Sequence, residues 1–152
     1  MNNIVHYTDL CLALMADHKK KNQFVTNTSG GLSFGTMPFN NHGFAQLEIR
    51  LKTGYIGKGR ARQGAYGVRH IFEKHGSELN LTCPSQVSSF IENIITTGAE
   101  VVIDNNKDPL KPLIIESNNG MVITAISGCQ SYYNIISAYG RKQHPGIVIA
   151  NF

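Results

Sequence analysis

Along this 152-residue chain the spacing of apolar residues changes from helical to alternating and back before settling into strands. Asp9 can cap a helix on which Leu10, Leu14 and Met15 share a stripe, and Lys19, Lys20 and Lys21 suit the C-terminal end of its dipole, so residues 9–21 are predicted helical. Residues 27–43 are dense in turn formers and read as loop. Ala45, Leu47, Ile49 and Leu51 then alternate with Gln46, Glu48, Arg50 and Lys52, which predicts a half-buried strand. Residues 65–75 read as a helix closed by Gly76 in a left-handed cap. Pro84 opens a second helix whose Val87, Phe90, Ile91, Ile94 and Ile95 form one apolar face, and Gly98 ends it.

After Gly98 the pattern is all strand. Residues 100–104, 112–116, 120–126 and 131–139 are rich in β-branched and aromatic residues and are separated by short turns, which demand antiparallel neighbours. Residues 146–152 offer an edge strand. The expected class is α+β, with N-terminal helices packed on one face of a twisted antiparallel β-sheet. The division expected is an N-terminal helix and Gly/Asn-rich linker over 1–44, followed by a domain over 45–152.

An apolar fraction of 41% supports one core, and no window approaches the roughly 18–20 apolar residues of a membrane span. The first apolar run precedes its charges, the reverse of a signal peptide. Cys11, Cys83 and Cys129 are odd in number and far apart in sequence, which predicts idle thiols rather than a disulfide framework or a zinc site.

Charge changes the picture more. The net +4 conceals a block at residues 50–75 with seven bases against Glu73 alone, and a stretch at 76–118 with six acids and two bases. The basic block holds the glycine-rich run 54–64, whose backbone amides could approach an anion. Lys58, Arg60, Arg62 and Arg69 there, with Arg141 further on, suit a polyanion partner such as RNA, and from charge alone a solvated basic loop fits equally.

Two histidines, His70 and His75, fall on the helix beside this block. Five residues turn an α-helix by about 140° beyond a full turn, so the rings should not share a face. Zinc ligands on a helix want spacings of three or four, and no carboxylate or thiol cluster completes a site. Histidine is instead a candidate general acid or base near neutral pH. On the last long strand, alternation predicts that Ile135, Ser137 and Tyr139 point one way, with Thr124 on the neighbouring strand as a further hydroxyl. The chain has no nucleophile elbow, phosphate loop or dinucleotide fingerprint, and no acidic cluster for a two-metal nuclease. Histidine, base and hydroxyl together suit metal-independent RNA cleavage through the 2′-hydroxyl.

The order of these pieces resembles a known family. The stretch 67–76, the amphipathic helix, the strand meander and the terminal Tyr-Tyr-x-Ile-Ile-Ser-Ala-Tyr139 look like the Barnase/EndoU/Colicin/RelE-type (BECR) ribonucleases. Within that group they are most similar to C-terminal toxin domains of contact-dependent growth inhibition and related polymorphic toxin systems. The similarity covers about residues 45–142; no Val-Glu-Asn-Asn junction is present, and residues 1–44 fall outside it. The resemblance implies an endoribonuclease toxin that needs no metal or cofactor, often cleaves transfer RNA and is blocked by an immunity protein. It implies action in the bacterial cytoplasm after delivery from a neighbouring cell. Carried over by position, its helix motif falls on His70 and His75 and its strand motif on Ser137 and Tyr139, with Thr124 from the preceding strand. Which histidine is acid and which base stays open. A noncatalytic RNA- or DNA-binding module would also explain the charge, whereas the positive net charge fits poorly with an immunity-type partner of a basic nuclease.

Overall fold

The computed structural model describes residues 3–16, 23–104, 112–140 and 145–152. Among these residues eight strands are formed: β1 (Ile4–Val5), β2 (Phe24–Val25), β3 (Ile49–Lys52), β4 (Glu100–Ile103), β5 (Leu113–Ser117), β6 (Gly120–Ile126), β7 (Tyr133–Tyr139) and β8 (Ile147–Asn151). Three short helices accompany them: α1 (Leu10–Ala16), α2 (Gly67–His70) and α3 (Gln86–Ile94). The strands make one sheet in the order β1-β2-β3-β7-β6-β5-β4-β8, so the α+β class holds. None of the described helices is long and apolar enough to cross a membrane. The end of the first expected helix, residues 17–21, lies outside the described residues.

From β4 to β7 the sheet is the antiparallel meander that the short turns demanded, and β8 lies against β4 as the edge strand. The sheet as a whole is mixed, not antiparallel. β1 pairs in parallel with β2, and β3 in parallel with β7. The second of these is reached only after α2, α3 and three strands, because a parallel neighbour requires a long crossover. A turn-by-turn reading sees local connections and so misses it.

The larger core cluster joins Val25, Ile49, Leu51, Val101, Leu113, Ile115, Val122, Tyr133 and Ile135 of the sheet to Leu10, Val68, Ile71, Val87, Ile91 and Ile94 of the helical segments. A smaller cluster of Val102, Ile114 and Met121, alternating with the first set along their strands, occupies the opposite face. Residues before Ala45 supply β1, α1 and β2, and their Val5, Val25, Phe34, Met37 and Phe44 enter the larger cluster.

Between β3 and α2 the chain makes a tight return. Gly54 and Gly67 have φ of +81° and +77°, values that favour glycine. A Cβ on Gly54 would strike the Tyr66 carbonyl oxygen and lie 2.8 Å from the Gly67 Cα. This close approach sets α2 at the end of β3, where the Arg69 amide donates to the Thr53 carbonyl at 2.9 Å. We predict that Gly54→Ala lowers unfolding free energy in urea by roughly 2–4 kcal/mol. Gly59→Ala, with φ of +68° but open space around it, should cost about 1 kcal/mol. Equal losses would show that the two glycines need not touch.

Candidate active site

The segment that carries both histidines is not a regular helix. α2 continues directly into a π-helical turn at Ile71–His75. Bonding from i to i+5 widens the turn, so a residue comes to lie near the one five positions before it. The divergence expected from α-helical geometry is thereby removed. The rings of His70 and His75 sit 5.3 Å apart, edge to face at 89°. Ile71, fully buried within this turn, anchors it in the larger core. Gly76 has φ of −55° and does not form the expected left-handed cap. Its lack of a side chain serves a different need, because a Cβ there would strike the Phe72 carbonyl oxygen that accepts the Gly76 amide.

β7 supplies the other side. Its pairing with β6 shifts between Ile123 and Thr124, so Ser137 stands opposite Ile123, Ile135 opposite Thr124, and Ile136 is the extra residue. A bulge of this kind re-aims every side chain beyond it. Ile135 and Ala138 therefore enter the larger core, while Tyr139 packs with Met121 on the opposite face, and Ser137 shares that face. The expectation that Ile135, Ser137 and Tyr139 point one way is corrected accordingly. β3 pairs with β7 only through Ile49–Tyr133 and Arg50–Asn134, and beyond that point α2 and the π turn pack beside β7. There the His75 ring meets the Tyr139 ring at 4.5 Å. Thr124 is not brought to this cluster. It is fully buried, and its hydroxyl donates to the Leu113 carbonyl at 3.1 Å.

Three buried polar atoms of these elements are unusual. His70, His75 and Ser137 are all buried, yet His70 Nδ1, His75 Nε2 and Ser137 Oγ have no hydrogen-bond partner among the described residues. His75 Nδ1 bonds the Glu78 carboxylate, which fixes the ring and leaves Nε2 as its unengaged nitrogen. Glu78 was missed in the sequence, although it lies three residues beyond His75 in the same turn of chain. Burial pushes the His70 pKa down to about 4, with His75, Lys74 and Arg62 adding positive charge nearby. His70 is thus neutral at pH 7.

The basic block forms an ordered arm rather than an open anion cradle. The Tyr55 and Tyr66 backbones exchange two hydrogen bonds of 2.9 Å, and Lys58 and Gln63 pair further out. Those amides are therefore committed within the arm. Lys58 and Arg60 project as exposed charges near its tip, while Arg62 is half-buried with Glu73 at 3.9 Å. Arg69 turns away from this surface: it is buried and donates to the Leu14 carbonyl at 3.0 Å. Arg141 lies outside the described residues. A second cationic group, not anticipated, is built on the sheet. Arg50 and Lys52 from β3 stand over the rings of Phe24 and Tyr132 at 5.2–5.5 Å. Alternation on β3 was visible, but nothing in the sequence links these cations to rings so distant along the chain.

A polar groove of about 620 Å³ opens between the α3–β4 turn and the β5–β6 hairpin, lined among others by Thr96, Glu100, Glu116 and Asn119. It contains none of the candidate residues. Comparison of the chain with family models, curated proteins and solved structures finds no match.

The neutral state of His70 links the site to stability. In the unfolded chain the ring takes up a proton as pH falls through about 6.5, whereas in the folded protein it resists until about 4. Its contribution is complete above pH 6.5 and is lost progressively as pH falls toward 4. We predict that His70→Gln flattens the stability profile in that window by up to about 1.4 kcal/mol per pH unit. Parallel profiles for the two proteins, measured by urea unfolding, would contradict the assignment.

Proposed function

We propose that this protein is a metal-independent endoribonuclease of the toxin type, with transfer RNA as the first substrate to test and a protein inhibitor as its natural counterpart. The observation that carries the reading is a pair of buried histidine rings 5.3 Å apart, His75 also touching the Tyr139 ring, whose His70 Nδ1 and His75 Nε2 have no hydrogen-bond partner among the described residues and which lie beside the positive charge of Lys74 and Arg62. Each such atom costs folding about 1–3 kcal/mol, and stability alone gives no reason to collect them.

The chemistry follows from the ring orientations. With Nδ1–H held by Glu78, neutral His75 carries its lone pair on Nε2 and can take the proton of a ribose 2′-hydroxyl. The imidazolium so formed is stabilised by the Glu78 carboxylate. The 2′-oxygen attacks the adjacent phosphorus, and the 5′-oxygen leaves with a proton from the Tyr139 phenol, which is in ring contact with His75. His70, neutral and close, accepts a hydrogen bond instead of adding charge. Lys58 and Arg60 draw the phosphate backbone toward the site.

A second reading has its own observation. The histidine rings are buried, whereas Arg50 and Lys52 over Phe24 and Tyr132 are half-exposed, a surface suited to phosphates and bases without cleavage. Purified protein incubated with total bacterial RNA in EDTA separates the two. The ribonuclease yields discrete fragments ending in 2′,3′-cyclic phosphate, and His75→Ala lowers the rate at least 100-fold while RNA still binds. A 3′-hydroxyl product would refute the mechanism, and RNA binding with no cleavage would favour the second reading. For either reading, Lys58→Glu with Arg60→Glu should weaken RNA binding and reduce the slope of log affinity against log salt by about 2. An unchanged slope would make the arm a merely solvated surface.

A further inference from the structure

The sequence separates Cys11 and Cys83 by 72 positions, yet the fold brings their sulfurs to 2.8 Å. All three cysteines are free thiols, and Cys129 stands apart and exposed. A separation of 2.8 Å is closer than non-bonded sulfurs ordinarily approach and needs little movement to reach the roughly 2.05 Å of a bond. From the Cys11–Cys83 proximity we infer that these two residues are a covalent modification site: a thiol pair that closes to an intramolecular disulfide when a disulfide oxidant of the glutathione class is present.

The surroundings suit that chemistry. Cys11 lines a cavity of about 500 Å³ together with Leu14, Met15, Phe72, Glu73 and Pro84, which gives a small oxidant an approach. The Cys83 thiol is held below its usual pKa, first by the hydrogen bond from Cys11 and then by the Ser85 hydroxyl at 3.1 Å, which favours its thiolate as the attacking group. Cys83 releases its proton to solvent and attacks one sulfur of the oxidant, expelling one thiolate. Cys11 then loses its proton, attacks Cys83 in the mixed disulfide and expels the second thiolate. Two protein thiols are oxidised, and the oxidant disulfide is reduced to two thiols.

The bond would join α1 to the turn that enters α3. Glu78, the partner of His75, lies five residues before Cys83, and the Leu79 and Leu81 amides bond back to the carbonyls of His75 and Gly76. Arg69 already ties α2 to α1 through the Leu14 carbonyl. Oxidation therefore clamps the segment behind the histidine turn. The inference stands whether or not the protein cleaves RNA.

The test uses the full chain with Cys129→Ser, which removes the exposed thiol. Treatment with oxidised glutathione should give a monomer two hydrogens lighter, with no thiol left to titrate. Its Tm should rise by roughly 5–10 °C, reversed by reductant, because the bond closes a long loop. Peptide mapping of the oxidised wild-type protein should recover Cys11 linked to Cys83. Glutathione adducts on both cysteines, a disulfide-linked dimer, an unchanged mass or a lowered Tm would each overturn the proposal.

Discussion

The candidate site depends on one departure from helical regularity, the i to i+5 turn at Ile71–His75. An α-helix would send His70 and His75 to different faces. The wider turn brings their rings to 5.3 Å and aims His75 at Tyr139. Such a turn is unfavourable by itself and persists only where its surroundings fix both ends. At one end, Gly54 and Gly67 meet and start α2 against β3. At the other, the Gly76 amide bonds the Phe72 carbonyl through a contact that admits no side chain. Ile71, buried between them, holds the middle.

The strand beneath repeats the same logic. A bulge at Ile136 lets one strand serve two faces: Tyr133, Ile135 and Ala138 build the main core, while Ser137 and Tyr139 leave it and meet the opposite face. Both irregularities lie beside the point where β3 stops pairing with β7. Burying His70 Nδ1, His75 Nε2 and, on β7, Ser137 Oγ with no partner among the described residues is costly. The large, contiguous core of the helices and sheet offsets that cost, so the molecule can hold buried polar atoms that its folding does not require.

Much of the fold was legible. The four-strand meander and α3 announce themselves through runs of Val and Ile, turn residues and an apolar helical stripe, because those elements are stabilised locally. Two-residue strands such as β1 and β2 carry no periodicity, and the parallel pairing of β3 with β7 is decided by distant packing, so neither could be seen. For the site, the residue types were readable but their company was not. A count of five between histidines assumes a period that the π turn abandons. Strict alternation on β7 fails at a bulge that no residue type marks. Thr124 and Arg69 looked like surface chemistry and are instead committed to the Leu113 and Leu14 carbonyls. The Cys11–Cys83 and Arg50–Tyr132 approaches join segments that no local pattern connects.

The central claim is that His70 is buried against the His75 ring and is held neutral. Ring NMR of the six histidines across pH 3–8 tests it most directly. The His70 ring is expected to titrate near pH 4. A His70 ring that titrates near 6.5 would contradict the claim, and with it the burial on which the proposed chemistry rests.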